Sequence, residues 1–205
     1  MTTLQRKLLR NLWSMKGQGS AIALVIAIGV AMYVMALGTM DTLRATQHSV
    51  YRQYHFADVF APLKRAPEAL VEHLAELDGV AGLETQVRAP LTIQLAGFND
   101  PVTGLALSIP DGRQSTLNQL HLTAGSLPDA LASNQILVSE AFAEAHGLQP
   151  GEQLAAVING RFRQLRISGV ALSPEFIYQI RPGDLFPDYA RYAVIWMNRS
   201  ALAAA

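Results

Sequence analysis

The stretch that decides the fold reads QILVSEAFAEAHGLQPGEQLAAVINGRFRQLRISGV and covers residues 135–170. Its apolar run 136–138 predicts a short strand. Ser139 stands where a helix N-cap belongs, and Glu140 suits the positive end of the helix that follows. Gly147 predicts the end of that helix, because glycine adopts the left-handed backbone of a C-terminal cap at little cost. This order of elements indicates a domain that mixes helices and strands.

A hairpin is predicted directly after this helix. Pro150-Gly151 fits the two central positions of a type II turn, and the strand at 154–158 leads into Asn159-Gly160, a strong signal for a tight hairpin. Its return strand is predicted over 161–170. The apolar phase slips early in this strand, which predicts a bulge near Arg163.

Farther toward the C-terminus, two proline-containing stretches, Ser173–Tyr178 and Gly183–Asp188, precede a predicted strand at 192–197. Two interpretations of these stretches remain open. Either they form a rigid loop that packs Phe176, Tyr178 and Phe186 onto the domain, or they contact a partner or substrate. Asn198 is predicted to cap a helix over 198–205, and because the chain ends within its first two turns we expect a truncated sequence.

Toward the N-terminus, residues 110–134 are rich in Gly, Pro, Asn, Asp and Ser and predict a long loop. We expect this loop to be an insertion between two lobes, at about 56–109 and 135–197, and to be the first site of limited proteolysis. Within the core domain 56–197, the first lobe is predicted to contain a helix after Pro67, over 70–77, and strands at 56–61, 80–87, 91–96 and 102–109.

A membrane-spanning helix is predicted over residues 17–40, which carry no formal charge. As a helix this run is about 36 Å long and exceeds a hydrocarbon core of about 30 Å. Its Ile, Leu and Val residues between 21 and 37 favour insertion by roughly 2 to 5 kcal/mol. A cleaved signal peptide and a buried core helix are the alternatives, but the run is long for either. Residues 41–55 lack Gly and Pro and predict a helical stalk.

The first sixteen residues carry Arg6, Lys7, Arg10 and Lys16 and no acidic residue. This excess of positive charge predicts a cytoplasmic N-terminus and places everything after Asp41 outside. On a helical wheel the leucines of segment 4–13 and Trp13 share one half, opposite the basic residues. The segment 1–16 is therefore predicted to be a cytoplasmic amphipathic helix on the inner membrane face, although a solvated basic leader is an alternative.

No catalytic, cofactor-binding or metal-binding residues are predicted. Sixteen basic and sixteen acidic residues cancel over 205 positions, which disfavours nucleic-acid binding, and the absence of cysteine excludes disulfides and thiolate chemistry. The five histidines, His48, His55, His73, His121 and His146, have no metal-ligand spacing. Neither a nucleophile elbow nor a phosphate-binding loop is present. Scattered Ser, His and Asp residues could still converge in a folded chain.

Taken together, the runs TAGSLP (123–128) and NQILVSEAFAEAHGLQPGE (134–152), followed by Gly169-Val170, resemble the outer domain of FtsX-like ABC transporter permeases. That group includes the macrolide-exporter and lipoprotein-release permeases. The resemblance implies an α+β fold, with one N-terminal transmembrane helix followed by a two-lobed mixed α/β periplasmic domain. It places the protein in the bacterial inner membrane, with a cytoplasmic N-terminus and a periplasmic main domain.

The same resemblance implies a non-enzymatic permease subunit. A separate ABC ATPase subunit would drive it, a permease dimer would form in the bilayer, and a periplasmic adaptor protein could join the assembly. Movement of the outer domain would export or extract a lipid, lipoprotein or hydrophobic compound. The alternative is a membrane-anchored periplasmic sensor or receptor ectodomain, and the sequence beyond Ala205 would separate the two readings.

Overall fold

The computed structural model describes residues 3–67, 69–95, 97–98, 100 and 102–205, and it divides into the units Met1–Ser49 and Val50–Ala205. Helix α1 spans Thr3–Ser14, and a turn at Met15 separates it from α2, which spans Lys16–Gln53 and has its last four residues in the second unit. Within the described ranges, α2 is the one helix long and apolar enough to cross a membrane. The helix predicted for residues 17–40 and most of the predicted stalk lie in α2.

The second unit is built mainly of strands. In the described part of the chain its helices are α3 (Ala69–Ala75), α4 (Glu140–His146) and α5 (Arg199–Ala203), and its strands are β1 (Arg88–Gln94), β2 (Val102–Ile109), β3 (His121–Gly125), β4 (Gln135–Ser139), β5 (Gln153–Ile158), β6 (Arg161–Leu172) and β7 (Tyr192–Asn198).

These strands form one sheet that closes into a barrel-like ring. The strand order is β3-β6-β4-β7-β2-β1-β5, and β5 also pairs with β6. Strand β6 makes this closure possible because it is 12 residues long. Its first half, Arg161–Arg166, pairs with β5, and its second half pairs with β3 and β4. Closure of a sheet removes exposed edges that would otherwise leave backbone groups unpaired.

The predicted division into two lobes is not confirmed, because β1 and β2 of the proposed first lobe stand between β5 and β7 of the proposed second lobe in one ring. Strand β2 pairs in parallel with β7, and β1 pairs antiparallel with β5. All seven residues of β7 are buried. A strand that is buried on both faces needs neighbouring strands and covering layers from distant parts of the chain. A second lobe folded by itself would lack the neighbouring strand β2.

Two apolar clusters stabilise this unit, one on each face of the sheet. Six strands close the ring, with β3 attached to β6 outside it. All six contribute to the larger cluster, which therefore fills the barrel interior, and α4 and α5 add Phe142 and Leu202. The smaller cluster lies on the outer face and includes Trp196 and Leu107 of β7 and β2. Leu120 and the half-buried Phe176 cover it. The outer face of the sheet is thus packed beneath two connecting segments.

The segment predicted as an inter-lobe insertion, 110–134, is part of that outer layer. It contains β3, which pairs with the end of β6, and it contributes Leu120 to the outer cluster. The Gly- and Pro-rich composition of the segment correctly indicated turns. Strand β3 was not predicted, because five residues are too few to give a clear alternation of apolar and polar positions.

Two predicted strands, 56–61 and 80–87, have no regular structure in the described chain. An alternating pattern is a local property, whereas a strand needs a hydrogen-bonding partner. The first strand of this region, β1, begins only at Arg88. The helix predicted over 70–77 is present as α3.

The bulge predicted near Arg163 is also absent, since β5 and β6 pair in regular register from Arg161 to Arg166. The apolar phase slips there because Phe162 faces solvent. The register shifts fall instead between Ile167 and Gly169 on β6 against β4, and between Leu122 and Ala124 on β3.

The turns around α4 are confirmed. Gly147 has φ 65°, and the Leu148 N–H donates to the Ala143 carbonyl at 2.9 Å, as expected of a helix that ends in the left-handed conformation. In the hairpin, Asn159 and Gly160 both have positive φ, at 49° and 81°, which is the backbone of a type I′ turn.

Candidate functional site

The described residues bring no group of three or more His, Asp or Glu close enough to hold a metal ion. Three histidine side chains have separate structural contacts. His121 lies beside Tyr54, His146 contacts the Ala190 carbonyl oxygen through Nε2 at 2.8 Å, and His73 contacts the carbonyl of its own helix. The arrangements that could serve a function lie elsewhere, at the end of α2 and in the loop between β6 and β7.

The first arrangement, the junction, joins residues 54–57 to residues 118–121. The Asn118 N–H donates to the His55 carbonyl at 2.9 Å, and the Gln119 N–H donates to the Tyr54 carbonyl at 2.8 Å. The Asn118 Oδ1 in turn accepts from the Ala57 N–H at 3.0 Å. His55 and Asn118 both have φ 48°, a left-handed conformation that non-glycine residues adopt only where surrounding contacts hold them.

Aromatic side chains reinforce the junction. The Tyr54 hydroxyl lies 2.9 Å from His121 Nδ1, and the Tyr51 ring stacks on Phe56 with centroids 4.3 Å apart. His121 is the first residue of β3 and pairs with Leu172, the last residue of β6. The chain that leaves α2 is therefore bonded to the ring through β3.

Asn198 anchors the other part of the 110–134 segment. It was predicted to cap α5, but its side chain makes no cap hydrogen bond. It is fully buried, its Nδ2 donates to the carbonyls of Asp129 and Ala132 at 2.7 and 2.9 Å, and its Oδ1 accepts from the Gly112 N–H at 3.2 Å. Near the start of α5 it is the Asp111 side chain that binds a free backbone N–H: its Oδ1 accepts a hydrogen bond from the Ser200 N–H at 3.0 Å.

The second arrangement, the covering loop, comprises residues 173–191 between β6 and β7. Its first half is held against the barrel by an ion pair between Glu175 and Arg88 and by edge-to-face contact of Phe176 with Trp196, at a centroid distance of 6.3 Å. Buried Gln179 accepts a hydrogen bond from the Ser139 hydroxyl at 2.9 Å. That bond explains why Ser139 does not cap α4, as the sequence had predicted.

The second half of the covering loop is held by charge pairs. Arg191 lies 2.6 Å from Asp100 and 3.0 Å from Asp188. Hydrogen bonding to Arg191 is the largest cause that lowers the pKa of Asp188, and the hydrogen bond to Asp100 is the largest cause that raises the pKa of Arg191. These groups are solvent-exposed, so they position the loop more than they stabilise the fold.

Between these attachments, the loop presents apolar side chains to solvent. Tyr178 is 72% exposed, Leu185 86% and Phe186 78%. The interpretation of a packed loop therefore holds for Phe176, and Tyr178 and Phe186 point away from the core. No signal in the sequence distinguished the three aromatics, because burial here depends on Trp196 and on the covered sheet face.

Comparisons with known proteins give structural neighbours alone. No protein-family model and no curated protein matches the sequence. Among solved structures, the extracellular domain of the noncanonic ABC-type transporter YknZ from Gram-positive bacteria is 14% identical, with a TM-score of 0.42 over 74% of this chain and 73% of that chain. A domain of a permease protein from Porphyromonas gingivalis is 19% identical, with a TM-score of 0.33 over 61% of this chain and 57% of that chain. Similarity at this level assigns no function.

Proposed function

We propose that this chain belongs to the permease subunit of an ABC transporter of the FtsX-like type. Helix α2 carries the proposal, because one helix contains the uncharged run 17–40 and continues to Gln53, next to the junction. The macrolide-exporter and lipoprotein-release permeases that the sequence resembles have a span before an outer domain.

The proposed topology has segment 1–16 in the cytoplasm, the span at 17–40 and the core domain 56–197 in the periplasm of a bacterial inner membrane. Four basic residues before the run and none within it support this direction. A separate ABC ATPase subunit would supply the energy, and a permease dimer would form in the bilayer. A periplasmic adaptor is a further candidate partner.

The outer domain would act by coupling. Two backbone hydrogen bonds link the chain after α2 to residues 118 and 119, and β3 follows immediately. Backbone bonds resist separation whatever the side chains are, so displacement of the helix end would be transmitted to β3 and β6. The exposed apolar side chains of the covering loop suit contact with a lipid, lipoprotein or hydrophobic compound.

The test is to break the stalk in the complete transporter. Arg44→Pro with His48→Pro should interrupt α2, since each proline costs about 3 kcal/mol in a helix interior. Export should fail and ATPase turnover should lose its dependence on substrate. Membrane insertion should stay unchanged, as should the Trp196 fluorescence of the outer domain, measured in a Trp13→Phe background. The matched control is Arg44→Ala with His48→Ala, which removes the same side chains and keeps the helix.

Unchanged export by the proline variant, with the helix shown to be broken, would contradict coupling through the stalk. Hydrolytic activity of the outer domain would favour an enzyme. A gene that continues into a cytoplasmic signalling helix would favour the sensor.

A further inference from the structure

Helix α1 has an apolar face that the described chain does not cover. Leu4 is 75% exposed, Leu8 59% and Trp13 76%. At 100° per residue these side chains fall on one half of the helix, and Arg6, Lys7 and Arg10 fall on the other. A short helix with one apolar and one cationic face is stable when the apolar face is buried against another surface.

The charge of the segment decides what that surface is. Residues 1–16 contain four basic and no acidic residues, so the segment favours an anionic partner. Lys16 is the last charge before the uncharged run of α2, and Met15 is the one described residue between the two helices that is not helical. This short connection keeps α1 close to the bilayer surface and gives a high effective concentration there.

We propose that α1 is an in-plane helix that binds anionic phospholipid headgroups. Leu4, Leu8 and Trp13 enter the boundary between headgroups and acyl chains, and Arg6, Lys7 and Arg10 contact lipid phosphates. The inference deepens the proposed function, because it rests on a cytoplasmic N-terminus next to the span. If α1 binds these headgroups, its position depends on the charge of the membrane. The position of the span does not depend on that charge.

Trp13 is a natural probe of this contact. The chain has two tryptophans, and Trp196 is 2% exposed in the outer unit, so a Trp13→Phe variant measures the background. The full chain is placed in lipid nanodiscs that contain bromine-labelled phosphatidylcholine, with or without phosphatidylglycerol. Tryptophan quenching then reports how often Trp13 lies at the depth of the acyl chains.

We expect quenching to increase severalfold when phosphatidylglycerol is present and to fall again at high salt, because salt screens charges at the membrane surface. Arg6→Gln, Lys7→Gln and Arg10→Gln together should reduce quenching to the level seen in neutral discs. Arg6→Lys with Arg10→Lys should keep it, since the charge is unchanged. Lys64→Gln with Arg65→Gln, which removes exposed charges of the outer unit, should have no effect.

Equal quenching in neutral and anionic discs would overturn headgroup recognition, and absence of quenching in all discs would show that α1 docks on a protein surface or stays in solvent. Both outcomes leave the export experiment on the stalk unaffected. Failure of that experiment would in turn leave the quenching result standing, so the two proposals can fail separately.

Discussion

Three asparagines with different surroundings show how far a single residue can be interpreted from its neighbours. Asn159 adopts φ 49° in a two-residue turn, a role that its glycine neighbour already predicts. Asn118 has nearly the same φ, but its side chain binds the Ala57 N–H, 61 positions away in sequence. Asn198 looks like a helix cap in the sequence and instead binds carbonyls 66 and 69 positions away. Local context identifies a role only when the partners are local.

Asn198→Ala should lower the free energy of unfolding by about 2 to 4 kcal/mol, because it leaves the Gly112 N–H and the carbonyls of Asp129 and Ala132 without their buried partner. Denaturant unfolding followed by Trp196 fluorescence, in a Trp13→Phe background, measures the change. Asn134→Ala, at an exposed position, is the control and should stay within about 0.5 kcal/mol. A loss no greater than that of the control would mean that Asn198 does not anchor the 110–134 segment.

At the scale of elements, the covering loop contains two kinds of residue: some attach it to the barrel, and others are exposed to solvent. Phe176 and Gln179 fasten the loop to Trp196 and Ser139, and Leu185 and Phe186 extend into solvent. An exposed apolar tip contributes little to the stability of the fold, so we predict that it contacts another molecule.

Leu185→Ser with Phe186→Ser should therefore leave the free energy of unfolding within about 1 kcal/mol of the parent and reduce export by the complete transporter. Phe176→Ala is the matched comparison and should cost about 2 kcal/mol, because a half-buried ring leaves the outer cluster. Both unfolding curves and export rates are needed. A tip variant that unfolds more easily than the Phe176 variant would assign the tip to the fold, and normal export by a stable tip variant would remove its functional role.

For the whole molecule, the proposed topology rests on the asymmetry of charge around the uncharged run of α2. The basic residues lie before the uncharged run, and Asp41, Arg44 and Arg52 follow it. A reporter fused after Ala205 should be active outside the cytoplasm and silent inside. Val25→Arg should weaken insertion of the span by roughly 3 kcal/mol, whereas Phe162→Arg, at an exposed position of the second unit, should not affect insertion. Cytoplasmic reporter activity would reverse the orientation and contradict the permease proposal.

The sequence by itself determined the elements whose causes are local. Helix α2 follows from a long uncharged run, and α4 with its closing Gly147 follows from residues within one or two turns of each other. The Pro150-Gly151 turn and the Asn159-Gly160 hairpin follow from the backbone preferences of the residues in them. The resemblance to outer domains of permeases rests on this same region.

The tertiary structure decided which strands become neighbours. Pairing of β2 with β7, and of β1 with β5, joins segments that lie far apart in the chain and merges the two lobes expected from the sequence into one ring. Strand β3 exists because the far half of β6 offers it an edge. In the covering loop, Phe176 packs on Trp196, whereas Leu185 and Phe186 are exposed. Closure of the sheet and burial of both faces of β7 depend on all strands together, so no window of the sequence contains them.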